Sequence, residues 1–214
     1  MATLLIPLVG PLQAWGLDAR FDLRQTAPEP SKSGVLGLLC CCLGRDRAEP
    51  IDDLAALKFG VRVDQPGTLL RDFHTAMNAI GSDGSKASNP VVSNRWYLSD
   101  AKFLVGVEGP AEQLHQLHQA LRHPHWTPCL GRRSCLPSVP LAAGGVVDLP
   151  LMEALSQAAP LGTATRLRLT VDDPAGDQTR PDLPLGPFSQ RRFGVRRIST
   201  HVISHDPAPN PVEA

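Results

Sequence analysis

Ser31-Lys-Ser-Gly-Val-Leu-Gly-Leu-Leu-Cys-Cys-Cys-Leu-Gly44 is the stretch on which the fold turns. Its apolar run reads as a buried helix, with the Ser31 hydroxyl placed to cap the first turn and Gly44 placed to end the last. Gly34 and Gly37 lower its intrinsic helicity but would let it lie close against a sheet. Upstream, Thr3–Val9 is a short apolar run closed by Gly10-Pro11, which predicts a buried first strand. Downstream, Ile51–Leu57 has the spacing of a short helical turn, and Phe59–Asp64 alternates like a half-exposed strand. From Gln65 to about Asp100 the periodicity fades, and the small, polar Asn78–Pro90 looks mobile or hairpin-like. Lys102–Glu108 predicts a strand, and Ala111–Arg122 a helix with Leu114, Leu117 and Leu121 on one face. Strand, helix, strand, excursion, strand, helix is the βαββαβ plan of an α+β domain, ferredoxin-like or RRM-like.

The tail beyond Pro137 is rich in proline and glycine. It holds a short helix candidate at Leu151–Ala158 and two strand candidates, Thr165–Val171 and Arg192–Ile203. Residues 1–135 are therefore expected to form an RRM-like domain with an insertion at about 65–100. Residues 136–214 are expected to form a β-rich extension with a short helix and a β-hairpin, fraying from His205 to the end.

Composition narrows the function. The chain has 214 residues, with 21 prolines and 18 glycines, which argues against a helix bundle. Its 21 basic and 21 acidic residues cancel, so no global basic field attracts nucleic acid. Any grip on RNA must be local. The five cysteines (Cys40, Cys41, Cys42, Cys129, Cys135) suit a reducing cytoplasm and have no zinc-ligand spacing, so neither a metal nor a cofactor is expected. No membrane span or signal segment is read at the N-terminus.

Three clusters carry candidate chemistry. In the first, Trp15, Arg20 and Arg24 lead into Lys32 at a helix N-terminus, where backbone N–H groups favour an anion. The same residues also read as a capped helix with a solvated lysine. In the second, Leu130-Gly-Arg-Arg-Ser134, a glycine permits close backbone approach and Arg132 and Arg133 can reach phosphates; they equally read as solubilising charge. The third, Ser189-Gln-Arg-Arg-Phe-Gly-Val-Arg-Arg-Ile-Ser-Thr-His201, is locally basic. A strand there puts Arg191, Phe193, Val195 and Arg197 on one face and Arg192, Gly194, Arg196 and Ile198 on the other. Arginine beside an aromatic suits phosphate contact and base stacking, and also suits a charged edge strand. The histidines, His74 among them, permit a metal-independent ribonuclease, but no catalytic constellation assembles around any of them.

Several blocks, in this order, resemble the CasD family of CRISPR-associated proteins, subtype I-E. They are Leu8-Val-Gly-Pro-Leu-Gln-Ala-Trp-Gly16, Pro30–Leu39 with Leu43-Gly44, Asp72-Phe-His-Thr75, Arg95-Trp-Tyr-Leu98 with Asp100-Ala101, Leu130–Cys135, and Pro184-Leu185 running to Arg191–Arg197. The resemblance implies an RRM-like domain of the RAMP type with an inserted β-hairpin thumb. It implies a non-catalytic, cytoplasmic subunit that caps the 5′ handle of the crRNA in the antiviral Cascade complex. Its partners would be the backbone subunit CasC and the large subunit CasA, with target DNA met only through the complex. A sister branch, in subtype I-C, instead cleaves the precursor transcript. On this resemblance, Arg20, Arg24 and Lys32 contact handle phosphates beside Trp15. Arg132 and Arg133 share that groove, and Arg191, Arg192, Arg196 and Arg197 contribute from the last strand. Gln13, Asn78, Asn94 and Arg95 are the candidates for reading bases.

Overall fold

A computed structural model describes residues 1–16, 23–80, 83–86 and 89–205. Its first strand is β1 (Ala2–Val9), buried on both faces. It runs antiparallel to β7 (Lys102–Gly109), Ile6 lying opposite Val105, while β4 (Lys58–Gln65) flanks β7 on the far side. A continuous run of Leu, Ile and Val, rather than an alternating one, is what a strand covered on both faces requires.

The covers are helices of opposite faces. Against one face lie α1 (Lys32–Leu43) and α3 (Ala111–Arg122), whose Val35, Leu36, Leu39, Leu114 and Leu117 share a core with Leu4, Ile6 and Leu8. Against the other lies α4 (Leu151–Gln157), whose Leu151, Ala154 and Leu155 pack on Leu5, Leu104 and Leu169. Helix α1 has the expected caps: Ser31 accepts from the Gly34 N–H, and Gly44 sits in the left-handed region at φ 76°. A four-residue helix, α2 (Asp52–Ala55), precedes β4.

Beyond residue 136 the same sheet continues. The two-residue β8 (Val146–Val147) adds to β1, and β9 (Arg166–Asp172) pairs with β4. The long β11 (Phe193–Ser204) and the edge strand β10 (Gln178–Pro184) follow, giving the order β10-β11-β9-β4-β7-β1-β8. Two expectations change here. Strand β4 is buried, not half-exposed, because β9 covers its second edge and α4 its second face. Buried Arg62 is accommodated by both Asp64 oxygens, at 2.7 and 2.9 Å, and by the carbonyls of Leu155, Ala158 and Ala159. Strand β10 went unread because Pro181 and Pro184 interrupt its pattern. An edge strand with a bulge between Arg180 and Leu183 tolerates them.

The excursion at 65–100 is a hairpin. Strand β5 (Thr68–Ala76) pairs in unbroken register with β6 (Val91–Ser99), from Thr68↔Ser99 to Ala76↔Val91. At its base, β6 also takes β2 (Leu12–Gln13) and, in parallel, β3 (Leu23–Arg24). Leu69, Leu70 and Phe73 on β5 remain exposed. Arg20 and the segment after His205, which was expected to fray, lie outside the described residues. No helix among the described residues is long and apolar enough to cross a membrane.

Candidate nucleic-acid interface

The pairing of β3 with β6 sets Arg24 opposite Arg95. The loop 130–135 brings Arg132 and Arg133 to the same place, and these four arginines with Ser134 line a groove of about 490 Å³, with no carboxylate among its described lining residues. The loop is held by short backbone bonds. Cys135 N–H donates to Arg132 O at 2.8 Å, Leu130 N–H to Cys135 O at 2.7 Å, and Ala14 N–H to Leu130 O at 3.0 Å. Gly131 is required at its tip: φ is +92°, and a Cβ would overlap the Ala14 carbonyl oxygen.

Arg132 organises the site. Its guanidinium donates to the carbonyls of Trp96 at 2.8 Å and Arg24 at 2.7 Å and lies 4.6 Å from the centroid of the Tyr97 ring. It thereby ties β3, β6 and the loop together, a positioning role. Arg24 and Arg133 are exposed, and Arg95 is half-buried, making one side-chain contact to Ser93 at 3.2 Å. The four guanidinium groups that line the groove repel one another, and a polyanion in the groove relieves that repulsion.

A second, more apolar groove of about 560 Å³ adjoins it, lined in part by Arg45, Arg47, Trp126, Phe188 and Phe193. Gly16, Gly34 and Gly131 border both this groove and a smaller pocket that reaches Arg24 and Arg132, so the two regions form one connected surface. Sequence reading passed over Arg45, Arg47 and Phe188. The available signal was Gly44, which ends α1 and is followed at once by Arg45-Asp-Arg47, with Arg45 half-buried and Arg47 exposed.

Four expected site residues are instead part of the interior. Gln13 is fully buried: its amide donates to Leu8 O and Ala101 O, both at 2.9 Å, and its oxygen accepts from Trp15 Nε1 at 3.1 Å. Neither Gln13 nor the buried Trp15 can meet a base. Lys32 is buried too, donating to Leu57 O at 2.7 Å and to Asp172 at 3.1 Å. The anion at the start of α1 is the chain's own Asp182, which accepts from the Lys32 backbone N–H at 2.8 Å. Arg196 completes this network, with Asp182 at 2.6 and 3.0 Å and Asp172 at 2.6 Å, its plane over Phe59. Burial alone would lower the Arg196 pKa, but hydrogen bonds and charge from Asp182, then Asp172, raise it overall.

The last strand otherwise follows the expected alternation: Phe193, Val195 and Arg197 are exposed, whereas Arg196 and Ile198 are buried. Arg191 and Arg192 are exposed just ahead of the strand, next to Phe193 in the apolar groove. Arg197 donates to Gly176 O at 2.8 Å. Asn94 accepts from Arg71 across the hairpin at 2.7 and 3.0 Å, and Asn78 occupies a positive-φ turn position. His74 lies 3.9 Å from Asp72 on exposed β5, away from Tyr97, which is buried beneath Arg132. Among the described residues no group of three or more His, Cys, Asp or Glu side chains could hold a metal ion. Burial pushes the thiols of Cys40 and Cys42 up to about 11 and about 12, which keeps them protonated at neutral pH.

Comparison with known proteins fits this geometry. Residues 3–199 match the family model described as CRISPR-associated protein (Cas_Cas5). The CRISPR system Cascade subunit CasD of Escherichia coli (strain K12) is 35% identical over 174 residues, 74% of this chain and 78% of its own length. A crystal structure of a Cas protein is 42% identical, with a TM-score of 0.76 over 94% of this chain and 95% of that one. A chain of a CRISPR RNA-guided surveillance complex is 31% identical, with a TM-score of 0.83 over 94% and 90% of the two chains.

Proposed function

The chain belongs to the Cas5 family of CRISPR-associated proteins, of the CasD type, and from that premise we propose that it caps the 5′ handle of crRNA as a non-catalytic Cascade subunit. The observation that carries the proposal is the groove in which Arg24, Arg95, Arg132 and Arg133 converge, with no carboxylate among its described lining residues. In a chain of zero net charge, that groove supplies locally the field a polyphosphate backbone needs. Arg24, Arg95 and Arg133 contact handle phosphates, Arg132 holds the groove in shape, and Arg191 and Arg192 flank it.

The remaining assignments follow from the same premise. Strands β4-β7-β1-β8 lie in the order of a ferredoxin-like core, which supports an RRM-like RAMP domain whose fourth strand, Val146–Val147, lies beyond the expected boundary at residue 135. The residues after Val147 then extend it through a shared sheet. The β5–β6 hairpin is the thumb, set to fold over guide RNA beside the backbone subunit CasC, with the large subunit CasA meeting another face. Target DNA is met through the complex, in the cytoplasm.

The test is the salt dependence of guide loading. Each phosphate of a single strand that the protein no longer neutralises flattens the slope of log K against log[salt] by roughly 0.7. Replacing Arg24, Arg95 and Arg133 together by glutamine should therefore flatten it by about 2. An unchanged slope contradicts the assignment. Metal-independent cleavage of precursor RNA that disappears in His74→Ala would replace it with the endoribonuclease reading.

A further inference from the structure

The apolar groove between α1 and the start of β11 has features that phosphate contact does not explain. Trp126 is 46% exposed, and Phe193, also lining the groove, is 45% exposed. Trp126 is nevertheless firmly placed. Its N–H donates to Cys41 O at 3.3 Å and the N–H of His125 to Cys42 O at 2.9 Å, so segment 125–126 satisfies the last carbonyls of α1. The His125 ring stands edge-on to the indole, centroids 4.9 Å apart at 79°, and rests on Gly44, where a side chain would collide with it.

The opposite wall is pinned as well. Ser189 N–H donates to Arg47 O at 2.8 Å, fixing Phe188 against the open side of Gly37, where a Cβ would sit 3.9 Å from the ring. Arg45 is neutralised by both Asp53 oxygens, at 2.7 and 2.6 Å, which leaves Arg47 as the rim cation nearest Phe188. A rigid aromatic wall, a glycine-bearing floor and a charged rim that carries Arg47 beside Asp46, continuous with an arginine groove, match a flat ring attached to a phosphodiester.

We propose that this groove is a nucleobase subsite, with Trp126 as the stacking platform for one unpaired base of the same strand whose phosphates the arginine groove holds. The inference rests on the handle-binding reading and adds a sequence-tolerant stacking contact to it. Stacking is not electrostatic, so its removal lowers affinity without altering the salt slope.

The experiment measures guide loading by the complex reconstituted from full-length subunits, using wild type, Trp126→Ala and Trp126→Phe, with handle RNAs carrying one abasic nucleotide at each position in turn. Trp126→Ala should weaken loading by roughly 5- to 150-fold, the range for removing one base–aromatic stack. Its salt slope should equal wild type, and Trp126→Phe should recover most of the affinity. One abasic position should reproduce the weakening in wild type and add nothing in Trp126→Ala. Phe193→Ala repeats the test from the other lining ring, and melting temperatures confirm that each variant is folded. Wild-type affinity in folded Trp126→Ala, or abasic effects that add fully to it at every position, overturns the subsite while leaving handle binding intact. Failure of the wild-type complex to distinguish handle RNA from any other strand overturns the handle reading itself.

Discussion

Replacing Arg196 by methionine separates the interior arginine from the groove arginines. The substitution removes three charge-assisted hydrogen bonds, to Asp182 at 2.6 and 3.0 Å and to Asp172 at 2.6 Å, from a side chain only 8% exposed. Asp182 is 1% exposed and would retain only the Lys32 N–H, so its carboxylate is left buried with its charge unpaired. Breaking a buried pair from one side costs about 3–5 kcal/mol. In a chain of this size each kcal/mol moves the melting temperature by roughly 2–4 °C, so the expected drop is about 6–20 °C. Adding Asp182→Leu should recover part of it, since the second substitution removes the stranded charge. The assay is thermal and urea unfolding of both variants, followed by guide loading for whichever is folded at the assay temperature. A melting temperature within 2 °C of wild type would refute the argument (about 1 kcal/mol or less). So would a stable variant whose loading loses salt dependence, because Arg196 would then be contacting phosphate.

Other consequences are local. Gly37→Ala meets only Phe188 at 3.9 Å and removes a helix-interior glycine, so it should stabilise the fold by up to about 1 kcal/mol in urea titration. Gly34→Ala should destabilise it, because the added carbon meets Ser31 Oγ at 2.9 Å and Trp15 at 3.0 Å. With pKa values raised to about 11 and 12, Cys40 and Cys42 should resist a thiol reagent at pH 8 until the protein unfolds; rapid modification of all five cysteines would contradict their packing. The hydrogen bond from Arg45 holds the Asp53 carboxyl below its ordinary range. The clamp between the α1 C-terminus and α2 should therefore persist above that range and be lost only as pH falls through the depressed value, read by amide exchange in 45–53. Loosening at neutral pH would contradict it.

What the sequence revealed was what neighbours in the chain determine. The caps at Ser31 and Gly44, the Leu114/Leu117/Leu121 stripe and the in–out alternation from Phe193 to Ile198 each depend on residues a few positions apart, and each matches the structure. The errors arose where the deciding partner is distant. Lys32 and Arg196 look like free cations until β9 and β10 bring Asp172 and Asp182 beneath them, about 140–150 positions from Lys32. Gln13 looks like a base-reading amide until β1 and Ala101 supply both its acceptors. The two glycines expected to ease α1 onto a sheet meet Trp15 and Phe188 instead. All four arginines of the quartet are named from the sequence, Arg24 with Arg132 and Arg133 in one groove and Arg95 as a base-reading candidate, but the parallel register of β3 with β6 is what sets Arg95 beside Arg24. That two-residue strand has no periodic signature.

The central claim, that the arginine groove holds the 5′ handle, is tested most directly by photocrosslinking in the assembled complex with a guide RNA carrying one photoreactive nucleotide at successive positions. Crosslinks from handle nucleotides should fall on residues around Arg95 and from Trp126 to Arg133, and none on the Lys32 or Arg196 side chains themselves. Handle crosslinks confined to partner subunits, or to the Lys32 and Arg196 side chains, would contradict it.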